Sequence, residues 1–157
     1  MNHLIIEQYK PEYHPIVIDI ITSIQQKEFN LPITYQDQPD LAQIETFYDS
    51  FLVALHNTIP VGTIGFKRIQ DFAIIRKMFV TPNFRGSTFG TAQKLLETLE
   101  KQIAAESIKK IYLGTTDFFK AAHRFYERNN YIEIAQTDLP AEFPRILIDT
   151  KFYHKVL

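Results

Sequence analysis

The chain has no cysteine and no tryptophan in 157 residues. The first absence removes disulfides, thiolate metal sites and a cysteine nucleophile together. It also fits a cytoplasmic setting, where disulfides are rare. An excess of either charge is missing too. Lys and Arg total 17 against 18 for Asp and Glu, a formal net charge of −1. There is no basic block, so no nucleic-acid partner is expected. No apolar run reaches the roughly 18 residues of a transmembrane span, so no membrane partner is expected either. The opening MNHLIIEQYK lacks the basic, apolar and small-residue layout of a signal peptide, and a cytoplasmic protein is the expectation. His3, His14, His56, His123 and His154 form no HExxH and no i,i+4 pair, so no metal is assigned. Glycine is scarce, and two of the five, Gly86 and Gly90, fall within five residues of each other.

What is present is apolar and aromatic. Thirteen Phe and eight Tyr can build an aromatic core or line a pocket. The length suits one domain with one sizeable core, taken here as residues 1–157. No internal repeat, linker or low-complexity tract divides it. Residues 3–9 read as a strand, and Pro11 opens a helix to about Phe29 with Ile16, Ile20, Ile21 and Ile24 at helical spacing. Asp40 is placed to cap a second helix ending near Asp49. Residues 51–55 and 60–68 form a hairpin turned at His56-Asn57-Thr58. Residues 72–80 are the next strand. A helix after Gly90 buries Phe89, Ala92, Leu95, Leu96, Leu99 and Ile103. Residues 110–115 form a strand, 118–129 a helix closed by Asn130 in the left-handed position, and 131–136 and 146–154 the last strands. Helices alternate with strands in the middle and strands crowd both ends. That pattern predicts an α/β fold with a mixed sheet and helices on both faces.

The most informative stretch is FVTPNFRGSTFGTAQKLL, residues 79–96. A strand runs into a proline turn, Arg85, two glycines and a helix N-terminus. Orphan N–H groups and the positive end of the helix dipole make such a turn an anion site. It is not a P-loop, because no Gly–Lys pair exists, and it is not GxGxxG. The spacing Arg85-x-x-Thr88-x-Gly90-Thr91, preceded by Val80-Thr81-Pro82, resembles the coenzyme A loop of the GNAT superfamily of acetyl-CoA-dependent N-acetyltransferases. A second block, AAHRFYERNNY at residues 121–131, resembles the same family, and IYLGTT at 111–116 resembles its fifth strand. Two departures stand out. Thr88 replaces a loop glycine, which requires an αR or β conformation there. Phe119 replaces an asparagine common in the family.

The resemblance implies a mixed, mostly antiparallel sheet whose fourth and fifth strands splay into a V that admits pantetheine as a pseudo-strand. It implies acetyl-CoA as cosubstrate, held by Met78, Phe79 and Val80 on the strand and by Arg85, Gly86, Ser87, Thr88, Phe89, Gly90 and Thr91 in the loop. Tyr126 is the candidate general acid for the leaving thiolate; the alternative is an aromatic packed beside Phe125. Glu28, Asp37, Asp40 and His123 are candidate bases, each with a structural reading as a helix-end, loop or surface residue. Arg76 falls on the side of Met78 and Val80 if the strand is regular, where it would clasp an acceptor carboxylate. Phe29 and Tyr35 are candidate walls of the acceptor pocket or parts of the core. The expected activity is direct acetyl transfer in a ternary complex to a primary amine, of a small molecule rather than a protein. The rivals are an idle acyl-CoA-binding regulatory module, a protein N-acetyltransferase, and an interaction protein whose loop binds no anion. A homodimer paired through the C-terminal strand is a further possibility.

Overall fold

The structure, a computed structural model, describes residues 3–157. Seven strands form one sheet: β1 (Leu4–Gln8), β2 (Ser50–His56), β3 (Ile59–Ile69), β4 (Phe72–Val80), β5 (Lys110–Thr115), β6 (Ile132–Ile134) and β7 (Lys151–Val156). Their order is β1-β2-β3-β4-β5-β7-β6, and only the β4–β5 neighbours run parallel. The β2–β3 hairpin turns at Asn57 and Thr58, which have φ of 50° and 72°. A left-handed pair of this kind matches the natural twist of a hairpin.

Strand alternation sorts the core onto two faces. Leu52 and Ala54 meet Leu95, Leu96, Leu99 and Ile103 of helix α3 (Thr91–Ala105) on one face. Helix α4 (Lys120–Arg128) adds Tyr126 to the same cluster. Phe51, Val53 and Leu55 point the other way, onto Val17 and Ile21 of α1 (His14–Thr22) and Ile44 of α2 (Ile44–Phe47). Further along that second face, Phe72, Ile74, Tyr112 and Phe152 are covered by Leu139 and Phe143 from the β6–β7 connection. The chain therefore has helices on both faces of a mixed sheet, as its element pattern predicts.

Several expectations needed correction. The first helix continues past α1 as a π turn over Ser23–Glu28, and it buries Val17 while Ile16 stays exposed. Asp40 caps nothing: it lies within a 3-10 turn (Pro39–Ala42) with its carboxylate buried, and α2 starts only at Ile44. Phe89 and Ala92 are half-buried rather than core. Residues 146–150 are loop, so the last strand begins at Lys151. The C-terminal strand is also not a free edge. It pairs with β5 along its whole length and with β6 at Phe152–His154.

Candidate active site

The parallel pairing of β4 with β5 covers only Phe72↔Lys110, Ala73↔Ile111 and Ile74↔Tyr112. Past Ile74 the two strands diverge, and the edge of β4 that faces β5 has no strand partner. Backbone donors and acceptors there lack strand partners and can pair with a ligand, apart from the Val80 carbonyl, which accepts Arg85 Nε. A β-bulge sharpens the divergence. Gly65 pairs with Arg76 and Thr63 with Phe79, so Lys77 and Met78 both face Ile64. Lys77 takes a left-handed φ of 59°, and its carbonyl accepts the Thr63 hydroxyl at 2.7 Å. An extra residue reverses the alternation beyond it. Ala73 and Ile75 share the α3 face with Met78 and Val80, whereas Arg76 points to the opposite face beside Ile74. The expectation that Arg76 shares the side of Met78 and Val80 fails for this reason.

The glycine loop leaves β4 through a 3-10 turn, Pro82–Phe84. Gly86 has φ of 93° and Gly90 of 63°, and a Cβ built on either would meet no atom within 4 Å. Glycine is needed there for its backbone conformation, and the space above both positions is open. Thr88 is not among the positive-φ residues, so its side chain is accommodated. The N-terminus of α3 has no side-chain cap and no acidic residue in its first turn. Those features fit a pyrophosphate. Arg85, however, is engaged: its Nε donates to the Val80 carbonyl at 2.8 Å, and its two terminal nitrogens donate to Glu28 at 2.6 and 2.7 Å. Those hydrogen bonds pull the Glu28 carboxyl below its usual range. The hydroxyls of Thr81 and Thr91, one at each end of the loop, are buried without a partner.

A cleft of about 330 Å³ opens where β4 and β5 part. Met78 and Phe79 line it from β4, Gly114 and Thr115 from β5 with Thr116 just beyond it, and Phe119 and Tyr126 from α4 and its entry. Tyr126 is 5% exposed, and its hydroxyl makes no hydrogen bond to any described residue. Burial raises that phenol well above its usual range, which holds it protonated. On the opposite face the cleft is charged. Asp40 accepts the Tyr48 hydroxyl and lies 3.9 Å from Arg76 and 3.8 Å from Lys77. Lys77 also donates to Gln38. Burial lowers the Lys77 ammonium to about 8, against the pull of Asp40. Asp149, on the loop before β7, completes the group. Burial raises its carboxyl to about 6, although Arg76 and Lys77 oppose the shift.

The remaining sequence candidates are dispersed. Phe29 stands behind the cleft, edge-on to Phe119 at 4.7 Å, and Phe119 meets Phe79 at 6.1 Å. Tyr35 packs with the α1–α2 cluster and lies edge-on to His14 at 6.5 Å, away from the cleft lining. His123 is buried with Nε2 on the Thr116 carbonyl at 2.9 Å, and it does not line the cleft. Asp37 reaches the cleft rim, but Thr34 holds it through both backbone N–H and hydroxyl, and the hydrogen bonds lower its pKa. Sequence reading missed Lys77 and Asp149. A lone lysine in a strand and an aspartate in a proline-flanked loop carry no local signal.

A family model described as "Acetyltransferase (GNAT) family" matches residues 18–131. No curated protein matches the chain. Among solved structures, an acetyltransferase of the GNAT family from Staphylococcus aureus Mu50 is 37% identical, with 98% of each chain covered and a TM-score of 0.94. An acetyltransferase from Streptococcus agalactiae 2603 is 30% identical, with 99% of each chain covered and a TM-score of 0.94. The PaiA N-acetyltransferase of Thermoplasma acidophilum, solved with coenzyme A, shares the fold: 14% identity, 98% of this chain and 99% of that chain, TM-score 0.76.

Proposed function

We propose, for a chain that belongs to the acetyltransferase (GNAT) family and so transfers an acyl group from an acyl-coenzyme A, that the donor is acetyl-CoA and the acceptor is the primary amine of a small anionic or zwitterionic molecule. The observation that carries this reading is one cleft holding an unpaired phenol, Tyr126, on one face of the sheet and two cations, Arg76 and Lys77, on the other. The volume of about 330 Å³ is at the small end of ligand sites, which run from about 300 to 1,000 Å³.

Acetyl-CoA, when bound, supplies the activated acyl group. Arg85, released from Glu28, and the N–H groups from Gly86 to Thr91 hold the pyrophosphate. The free edge of Met78–Val80 pairs with the pantetheine amides and offers an N–H to the thioester oxygen as it gains charge. Tyr126 donates a hydrogen bond to the departing sulfur, and its raised pKa keeps that proton in place until the sulfur becomes basic. Arg76 holds the anionic group of the acceptor, while the more deeply buried Lys77 stays on Asp40 and Gln38. With no cysteine to carry an acetyl group, direct transfer in a ternary complex is the simplest route.

The Arg85–Glu28 pair favours a second reading, an idle module whose loop arginine is permanently occupied. Calorimetric titration with acetyl-CoA, beside a Gly90→Glu variant, separates the two. Micromolar binding to the wild type, lost when a carboxylate stands at the open face of Gly90, supports the enzyme. A folded wild type that binds no acetyl-CoA contradicts it.

A further inference from the structure

The carboxylate of Asp149 lies directly against β5. A Cβ on Gly114 would stand 2.6 Å from its Oδ2 and 3.1 Å from its Cγ. Gly114 is not one of the positive-φ glycines, so its backbone does not demand glycine. What the missing side chain provides is room for this carboxylate at the point where β5 leaves β4. Among the described residues the Asp149 side chain accepts no hydrogen bond and forms no ion pair, and it lines the cleft. The other carboxylates at the cleft are engaged, Asp37 by Thr34 and Asp40 by Tyr48 and the two cations. A half-buried carboxylate with unused lone pairs has room for a donor from outside the fold, a ligand or water.

Its placement is complementary to that of Tyr126. Tyr126 belongs to the face built with Ile75, Ile111 and Leu113. Gly114, two residues from Tyr112 on the same strand, faces Asp149 and Phe152 on the side of Ile74 and Tyr112. A thioester lying in the gap between the strands would thus have a phenol on one side and a free carboxylate on the other. Amide formation needs that division, since nitrogen must lose protons on one side while sulfur receives one on the other.

We propose that Asp149 is the general base of the transfer, accepting a proton from the acceptor nitrogen as it attacks. The assignment rests on the acyl-transfer reading above. The N–C bond forms and the C–S bond breaks. An ammonium acceptor sheds two protons in becoming an amide: one ends on the thiol of coenzyme A, with Tyr126 as the local donor, and one leaves through Asp149 to solvent. The charged and titratable groups around Asp149 are Arg76 and Lys77 on β4, Asp37 and Asp40 on the segment after α1, and Tyr126 across the gap on α4. The two cations keep the carboxylate ionised near neutrality against burial, which places its titration close to a useful operating pH.

The test is coenzyme A release as a function of pH for wild type, Asp149→Asn and Asp149→Glu, with an amine panel. Acetyl-CoA affinity and thermal unfolding are measured on the same samples. We expect kcat of Asp149→Asn to fall about 100-fold. Its acid limb near pH 6 should vanish, and its rate should climb with pH as the amine arrives already neutral. Acetyl-CoA affinity should hold, and Asp149→Glu should recover part of the rate. A folded Asp149→Asn variant with wild-type kcat and acid limb overturns the assignment and leaves acyl transfer standing. A loss confined to acceptor KM also overturns it and makes Asp149 an anchor for the ammonium. Wild-type protein that binds acetyl-CoA yet releases no thiol with any amine overturns the acyl-transfer reading and this assignment together. Gly114→Ala, which displaces the carboxylate without removing it, should lower kcat in the same direction.

Discussion

Arg85 and Glu28, 57 positions apart, form a two-pronged ion pair that ties the glycine loop before α3 to the π turn at the end of the first helix. The arginine that would grip a pyrophosphate is held by a carboxylate that would repel it. Both side chains are about one-third exposed, 37% and 32%, so the pair is worth roughly 1 kcal/mol. Glu28→Gln should therefore tighten acetyl-CoA binding about fivefold, by roughly that amount, in calorimetry. Unchanged affinity would mean that the pair persists beside the ligand.

Tyr126→Phe separates chemistry from packing. The hydroxyl satisfies no protein partner, so its loss should leave thermal stability unchanged or slightly raised. Turnover should fall at least 10-fold while KM for acetyl-CoA holds, the outcome expected of a phenol proposed to act only as sulfur departs. Equal losses of stability and activity would reduce Tyr126 to a packed aromatic.

Arg76 is tested through the acceptor. Arg76→Gln should raise KM for an anionic amine by about 10-fold while leaving KM for acetyl-CoA in place, the loss of one charge-assisted contact. An unchanged acceptor KM removes the clasp. Lys77 remains to neutralise Asp40, from which it is 3.8 Å away, so the fold should survive.

Asp149 should cost stability above its folded pKa. Burial lifts that pKa from 3.8 to about 6, so the folded state holds more protons than the unfolded state between those values. Stability then falls as pH rises from about 4 to 6 and stays reduced above, by about 2–3 kcal/mol at most. Asp149→Asn should be more stable than wild type at pH 8, with the difference closing below pH 4. Denaturant unfolding at the two pH values checks this, and a difference independent of pH would contradict it.

Much of this was legible from local sequence. β4 and β5 fall on the residues that periodicity marks, 72–80 and 110–115, because β-branched and aromatic runs end there at Pro82 and before the next helix. Gly86, Gly90 and Asn130 take the left-handed conformations that their positions demand. What was hidden depends on distant contacts. The bulge at Lys77 is created by pairing with Thr63 and Gly65, and it moves Arg76 to the other face. Asp149 acquires meaning only because Gly114 opens space for it, 35 positions earlier in the chain. Insertion of β7 between β5 and β6 is a topological choice that no local pattern encodes.

The most direct measurement is thiol release from acetyl-CoA against an amine panel, wild type beside Tyr126→Phe, with the acetylated product identified by mass. The chain has no cysteine, so a thiol-trapping reagent sees only coenzyme A. The account predicts one thiol per acetylated amine, fastest with amines that carry an anionic group, and a marked slowing in the variant. Thiol release that is absent, or equal in the two proteins for every amine, would contradict it.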